Sequence, residues 1–97
     1  MAAITNGFTT KRVTLTADTE QTVMFPGFAR EVAVVNMGAG TVYVKKNGIV
    51  EATTDTGANV LDTTVRGVTL DQNDRSGPIS FISLFCHEGG EVQWEAR

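Results

Sequence analysis

The sequence predicts an all-β fold: a single antiparallel β-sandwich, jelly-roll-like or immunoglobulin-like, of about seven or eight short strands. Three observations carry this. Thr and Val supply about a quarter of the 97 residues, and branching at Cβ suits a side chain to a pleated, half-buried surface. Apolar and polar residues alternate with a period of two along much of the chain, which puts every second side chain on one sheet face. Gly is frequent and Pro scarce, with 10 and 2 residues, as expected of tight turns between short strands, and no long segment of 3.6-residue period competes.

The elements follow in order. Residues 1–10 show no clean period and carry Ile4 and Phe8 among small and polar residues. They read as an N-terminal arm ahead of a sandwich domain spanning 11–97. Val13 and Leu15 share one face of the first strand, and Val23 and Phe25 share a face of the second, which Pro26-Gly27 ends. The run 30–36 is more apolar and reads as a central strand. Residues 37–40 supply glycines for a turn, and 41–46 alternates again, so 30–46 reads as a hairpin. Asn47-Gly48 is the strongest two-residue turn signal, because both residue types tolerate a positive φ. Residues 51–63 are polar and read as a long loop with one helical turn at most. A strand is expected over 64–70, an exposed turn over 71–78, a strand over 79–86, and a last strand over 91–96 with Val92, Trp94 and Ala96 facing inward.

The strand 79–86 breaks the alternation, with Ile79, Phe81 and Phe85 on one face and Ile82, Leu84 and Cys86 on the other. A strand apolar on both faces must be covered on both. The sandwich core covers one. Either a neighbouring chain or a local segment, most plausibly 51–63, covers the other. On the first alternative Ile82 and Leu84, with the arm residues Ile4 and Phe8 and the outward Tyr43, form the expected protein interface.

The same composition excludes several function classes. The formal net charge is −3 and the eight basic residues are scattered, whereas nucleic-acid binding calls for clustered Lys and Arg. No window is long and apolar enough to span a bilayer, and no basic stretch followed by an apolar run marks a signal peptide. A single cysteine, Cys86, forbids an internal disulfide, in keeping with assembly in a reducing cytosol. The one histidine, His87, adjoins Cys86 on a strand where neighbours point to opposite faces, so the two form no nucleophile–base pair. One Cys and one His cannot make a zinc site. The acidic run Asp71, Asn73, Asp74 departs from a calcium loop at Arg75 and Ser76. The expectation is a chain that is not an enzyme and has no catalytic, cofactor or metal residues.

The order of these segments carries a resemblance. Thr14-Leu15-Thr16, Val23-Met24-Phe25-Pro26, the strand Arg30 to Asn36, a Gly-rich turn, Val42-Tyr43-Val44, Asn47-Gly48, then Ile79 to Leu84 and Glu91 to Glu95 resemble the small β-sandwich accessory proteins of tailed-phage virions, above all the capsid decoration (cement) proteins. The likeness spans about residues 12–97 and is one of strands and turns, without a diagnostic motif. It implies a virion structural protein, made in the host cytoplasm, that binds the major capsid protein or other virion proteins in many copies as a homo-oligomer, often a trimer. A head–tail connector or tail accessory protein fits the same pattern. A ligand- or carbohydrate-binding sandwich module is the reading from another class, and would need a groove lined by aromatics.

Overall fold

The structure, a computed structural model, describes residues 9–50, 58–71 and 78–96. Eight strands lie among them: β1 (Thr9–Leu15), β2 (Gln21–Ala29), β3 (Glu31–Asn36), β4 (Val42–Lys46), β5 (Asn59–Leu61), β6 (Gly67–Asp71), β7 (Ile79–Cys86) and β8 (Gly90–Ala96). They form two four-stranded antiparallel sheets, one in the order β1-β8-β3-β6 and the other β2-β7-β4-β5. Here they are called the first and second sheet.

The pairing has a simple logic. The outermost strands of the sequence pair, β1 with β8, and the sequence then pairs inward: β2 with β7, β3 with β6, and β4 with β5. A long antiparallel ribbon rolled on itself adds the contacts β3–β8 and β4–β7. Among the described residues this is the strand order of a jelly roll, which rolls one ribbon into two packed sheets. The all-β sandwich expected from the alternation is therefore what the chain forms, in its jelly-roll variant.

The inward faces supply one core. Val32 and Val34 of β3, Val42 and Val44 of β4, and Ile82, Leu84 and Cys86 of β7 are buried between the sheets, with Val92, Trp94 and Ala96 of β8. Phe25 meets Trp94 edge-on, with ring centroids 5.4 Å apart at 61°, a favoured aromatic geometry.

Four sequence expectations need correction. β3 and β4 are not a hairpin, since they belong to different sheets. The connection 37–41 is a crossover, and the buried Asn36 fixes it: its Nδ2 donates to the carbonyls of Gly40 (2.7 Å) and Leu61 (3.1 Å), while its Oδ1 accepts from the Gly38 N–H (3.0 Å). β2 does not stop at Pro26-Gly27 but continues to Ala29 through a register shift between Met24 and Ala29, the setting in which a sheet tolerates Pro. Within 51–63, residues 59–61 form β5 rather than a loop, paired to β4. The segment 62–66 is a turn instead of the start of β6, with Asp62 accepting from the N–H groups of Thr64 and Val65 (2.8 Å each). The acidic run 71–76 lies, after Asp71, outside the described residues.

The turn at 47–48 is present but uses its residues unequally. Asn47 alone takes the left-handed conformation, at φ +54°. Its Oδ1 accepts from the Ser80 N–H (2.8 Å) and hydroxyl (3.0 Å), and its Nδ2 donates to the Pro78 carbonyl (2.9 Å). A Cβ at Gly48 would meet only the Lys45 side chain, at 3.4 Å.

Candidate docking surface

The two sheets turn different outer faces to solvent. On the first, Arg12 bonds Gln93 (3.1 Å) and pairs with Glu91 (3.5 Å), and Glu31 and Glu95 continue a charged surface. On the second, register places Val60, Tyr43 and Phe85 in one cross-strand row and Met24 opposite Phe81 in another. Met24, Ile49 and Val60 are about half exposed, and Phe28, beyond the β2 register shift, is 72% exposed. Among the described residues β2 is also an edge of its sheet. Its nine residues include no charge, although charge is the usual protection of an edge strand.

The structure shows how part of the doubly apolar β7 is covered. Ile82 and Leu84 both face the sandwich core and have no exposed surface, so neither can contribute to an interface, contrary to expectation. Phe81, Ser83 and Phe85 face outward instead. Over Ser83 runs the chain leaving β4: the buried Val50 donates its N–H to Ser83 Oγ (3.0 Å), and that hydroxyl donates to Glu20 Oε2 (2.5 Å). Local chain thus covers the middle of the face, and apolar side chains stay exposed around it. Of the other expected interface residues, Tyr43 is half-buried in the Val60–Tyr43–Phe85 row. Ile4 and Phe8 lie outside the described residues. The sequence expectation does not include Met24, Phe28 and Val60, which are exposed on this face; alternation implies it for Met24, which must face away from Val23 and Phe25.

At one end of this face a cleft of about 300 Å³ is lined by Thr41, Tyr43, His87 and Glu88. The turns around it are tightly clamped. Asp18, at φ +55°, and Gly89 both donate their N–H to the Cys86 carbonyl (3.1 and 3.3 Å). Gly89 has φ +78°, and a Cβ there would lie 3.1 Å from the Leu15 carbonyl oxygen. The Asp18 carboxylate bonds His87 Nδ1, and that bond with its charge raises the His87 pKa above its ordinary value. Backbone N–H donation, first from its own residue and then from Thr41, holds the Glu88 carboxyl below its usual value. The buried Cys86 thiol contacts the Gly89 carbonyl (3.2 Å) and Glu88 Oε1 (3.6 Å), and desolvation pushes its pKa up. A protonated thiol is a poor nucleophile. Among the described residues no group of three or more His, Cys, Asp or Glu could hold a metal ion.

No family model and no curated protein matches the sequence. Among solved structures, the fold is similar to that of a chain in the Nora virus structure, with a TM-score of 0.55 and 13% identity. The match covers 92% of this chain and 53% of the other, so this chain spans about half the length of that one. At this identity the likeness is one of fold.

Proposed function

We propose that this chain is a non-enzymatic virion structural protein, a capsid decoration (cement) protein that binds and stabilises the capsid lattice. The observation that carries the reading is the asymmetry of the jelly roll. One outer face is charged, and the other presents Met24, Phe28, Ile49 and Val60 beside an uncharged sheet edge. Exposed apolar surface of this kind on a small domain marks a protein contact, and β2, an edge among the described strands, offers a place for an extended segment from a partner. The fold likeness to a chain of the Nora virus structure and the resemblance to tailed-phage decoration proteins both support a virion setting. The partner is then the major capsid protein or a neighbouring virion protein. A homo-oligomer, a trimer by the resemblance, would multiply individually weak contacts. The free cysteine and lack of a disulfide are in keeping with synthesis in the host cytoplasm.

The test is co-sedimentation with virions purified from producing cells. Met24→Asp combined with Phe28→Asp should abolish co-sedimentation while leaving the circular dichroism spectrum and melting midpoint close to wild type. Glu95→Lys on the charged face should bind normally. Full binding by the aspartate variant would refute the docking face. Immunogold labelling confined to tails or necks would replace decoration with a tail or connector role.

A further inference from the structure

We infer that the cleft lined by Thr41, Tyr43, His87 and Glu88 receives an arginine side chain presented by a protein partner. The inference deepens the docking reading by naming the chemistry of one contact. Three features of the cleft converge on it.

The first is a fixed carboxylate. Glu88 lies against Gly40, where a Cβ would stand 2.8 Å from Glu88 Oε1 and 3.0 Å from Cys86 Sγ. Gly40 has no left-handed φ to account for its identity, so its lack of a side chain makes room for this carboxylate and the thiol beside it. The second is an aromatic wall. Tyr43 stands opposite Val60 on one neighbouring strand and Phe85 on the other and lines the cleft, which offers an aromatic ring for a planar cation to stack on. The third is the sign of the local charge. Among the described residues neither lysine nor arginine lines the cleft; Lys45 stands one step further along the same face of β4. Two carboxylates, Glu88 and Asp18, flank the one imidazole, and Asp18 is engaged with His87. Glu88, held in place by backbone N–H groups and the Cys86 thiol, is the carboxylate that lines the cleft.

Arginine fits better than lysine because its planar, multi-donor guanidinium can stack on Tyr43 while bonding a carboxylate with two N–H groups at once. A cleft of about 300 Å³ is at the small end of ligand sites, suited to one side chain. A sugar would use the same ring but has no need of an ionised carboxylate, which separates the two chemistries experimentally.

The experiment is an amide NMR titration of the intact chain with N-acetyl-arginine amide, N-acetyl-citrulline amide and glucose. Arginine amide should give saturating shifts centred on Thr41, Tyr43, His87 and Glu88. Citrulline, the uncharged near-isostere, should bind about tenfold more weakly or not at all, as expected from loss of a charge-assisted hydrogen bond. Glu88→Gln should weaken arginine binding by a similar factor and Tyr43→Ala by several-fold (roughly 3-fold or more,), while Glu95→Gln on the far face leaves it unchanged. Equal response to citrulline, shifts scattered over the surface, or saturation by glucose but not arginine would overturn the inference. The titration needs no particle and the Met24/Phe28 experiment does not touch the cleft, so each reading can fail without the other.

Discussion

Replacing Asn36 should cost more stability than replacing any exposed residue. Its side chain is 1% exposed and makes three hydrogen bonds: two donated, to the Gly40 and Leu61 carbonyls, and one accepted from the Gly38 N–H. It thereby ties the end of β3 to the crossover and to β5 in the opposite sheet. Arg66 reinforces the same corner, donating to the carbonyls of Asn36 (2.9 Å) and Gly38 (3.0 Å). A net value of about 1 kcal/mol per bond gives about 3 kcal/mol for Asn36→Ala. That is a large share of the roughly 5–15 kcal/mol that holds a domain of this kind together. It corresponds to a melting point lower by about 12–25 °C. Asn36→Asp is the sharper control. It keeps an acceptor for Gly38 but turns a buried carboxylate toward two carbonyl oxygens, so it should be at least as damaging. Urea denaturation of the three proteins, fitted with a common slope, measures both losses. A loss below about 1 kcal/mol for the alanine variant, or an aspartate variant as stable as wild type, would refute the claim that this residue holds the sheet crossover.

Other consequences can be checked with the same assay. Leu84→Ala should cost about 2–5 kcal/mol, as for a buried core leucine, whereas Met24→Ser should stay within about 0.5 kcal/mol; the reverse order would return Leu84 to the surface. Asn47→Ala should destabilise by about 2 kcal/mol or more, since alanine resists the left-handed conformation and three hydrogen bonds are lost. Gly48→Ala should melt within a few degrees of wild type (roughly 0.5 kcal/mol or less,). The His87 pKa is raised in the folded state, so the Asp18–His87 contact contributes its full stabilisation below the unfolded value of about 6.5 and loses it as pH rises through the folded value. Melting points between pH 5.5 and 8.5 should show this loss in wild type and not in Asp18→Asn; identical profiles would remove the contact from the stability of this end of the fold.

Alternation made most of the strands legible, because a buried face leaves a period-two trace in β1, β3, β4 and β8. It reports which side chains share a face and says nothing about which strand lies alongside. β3 and β4 therefore looked like a hairpin, although Asn36 bends the chain out of one sheet and into the other. β5 escaped notice because three residues, Asn59–Leu61, are too few to display a period within a polar stretch. β2 was cut short at Pro26-Gly27, since a register shift that carries a proline past the ladder cannot be told from a strand end by composition. The candidate docking surface is only half visible in the sequence. The sequence showed that 79–86 is apolar on both sides, yet phase alone does not say which side faces the partner sheet. The structure puts Ile82 and Leu84 inward and lays Val50 over Ser83. The cleft is least visible in the sequence, because Tyr43 on β4 and Glu88 in the turn after β7 are far apart in the chain and meet only after the ribbon is rolled.

The capsid assignment is tested most directly by a cryo-electron-microscopy map of native virions from producing cells, at a resolution that traces β-strands. The jelly roll should appear in many copies on the outside of the capsid, with the outer face of β2-β7-β4-β5 against the lattice and the charged face of β1-β8-β3-β6 toward solvent. Density for this domain only at the tail or neck, a lattice contact made through the charged face, or no copy of the chain in the particle would contradict it.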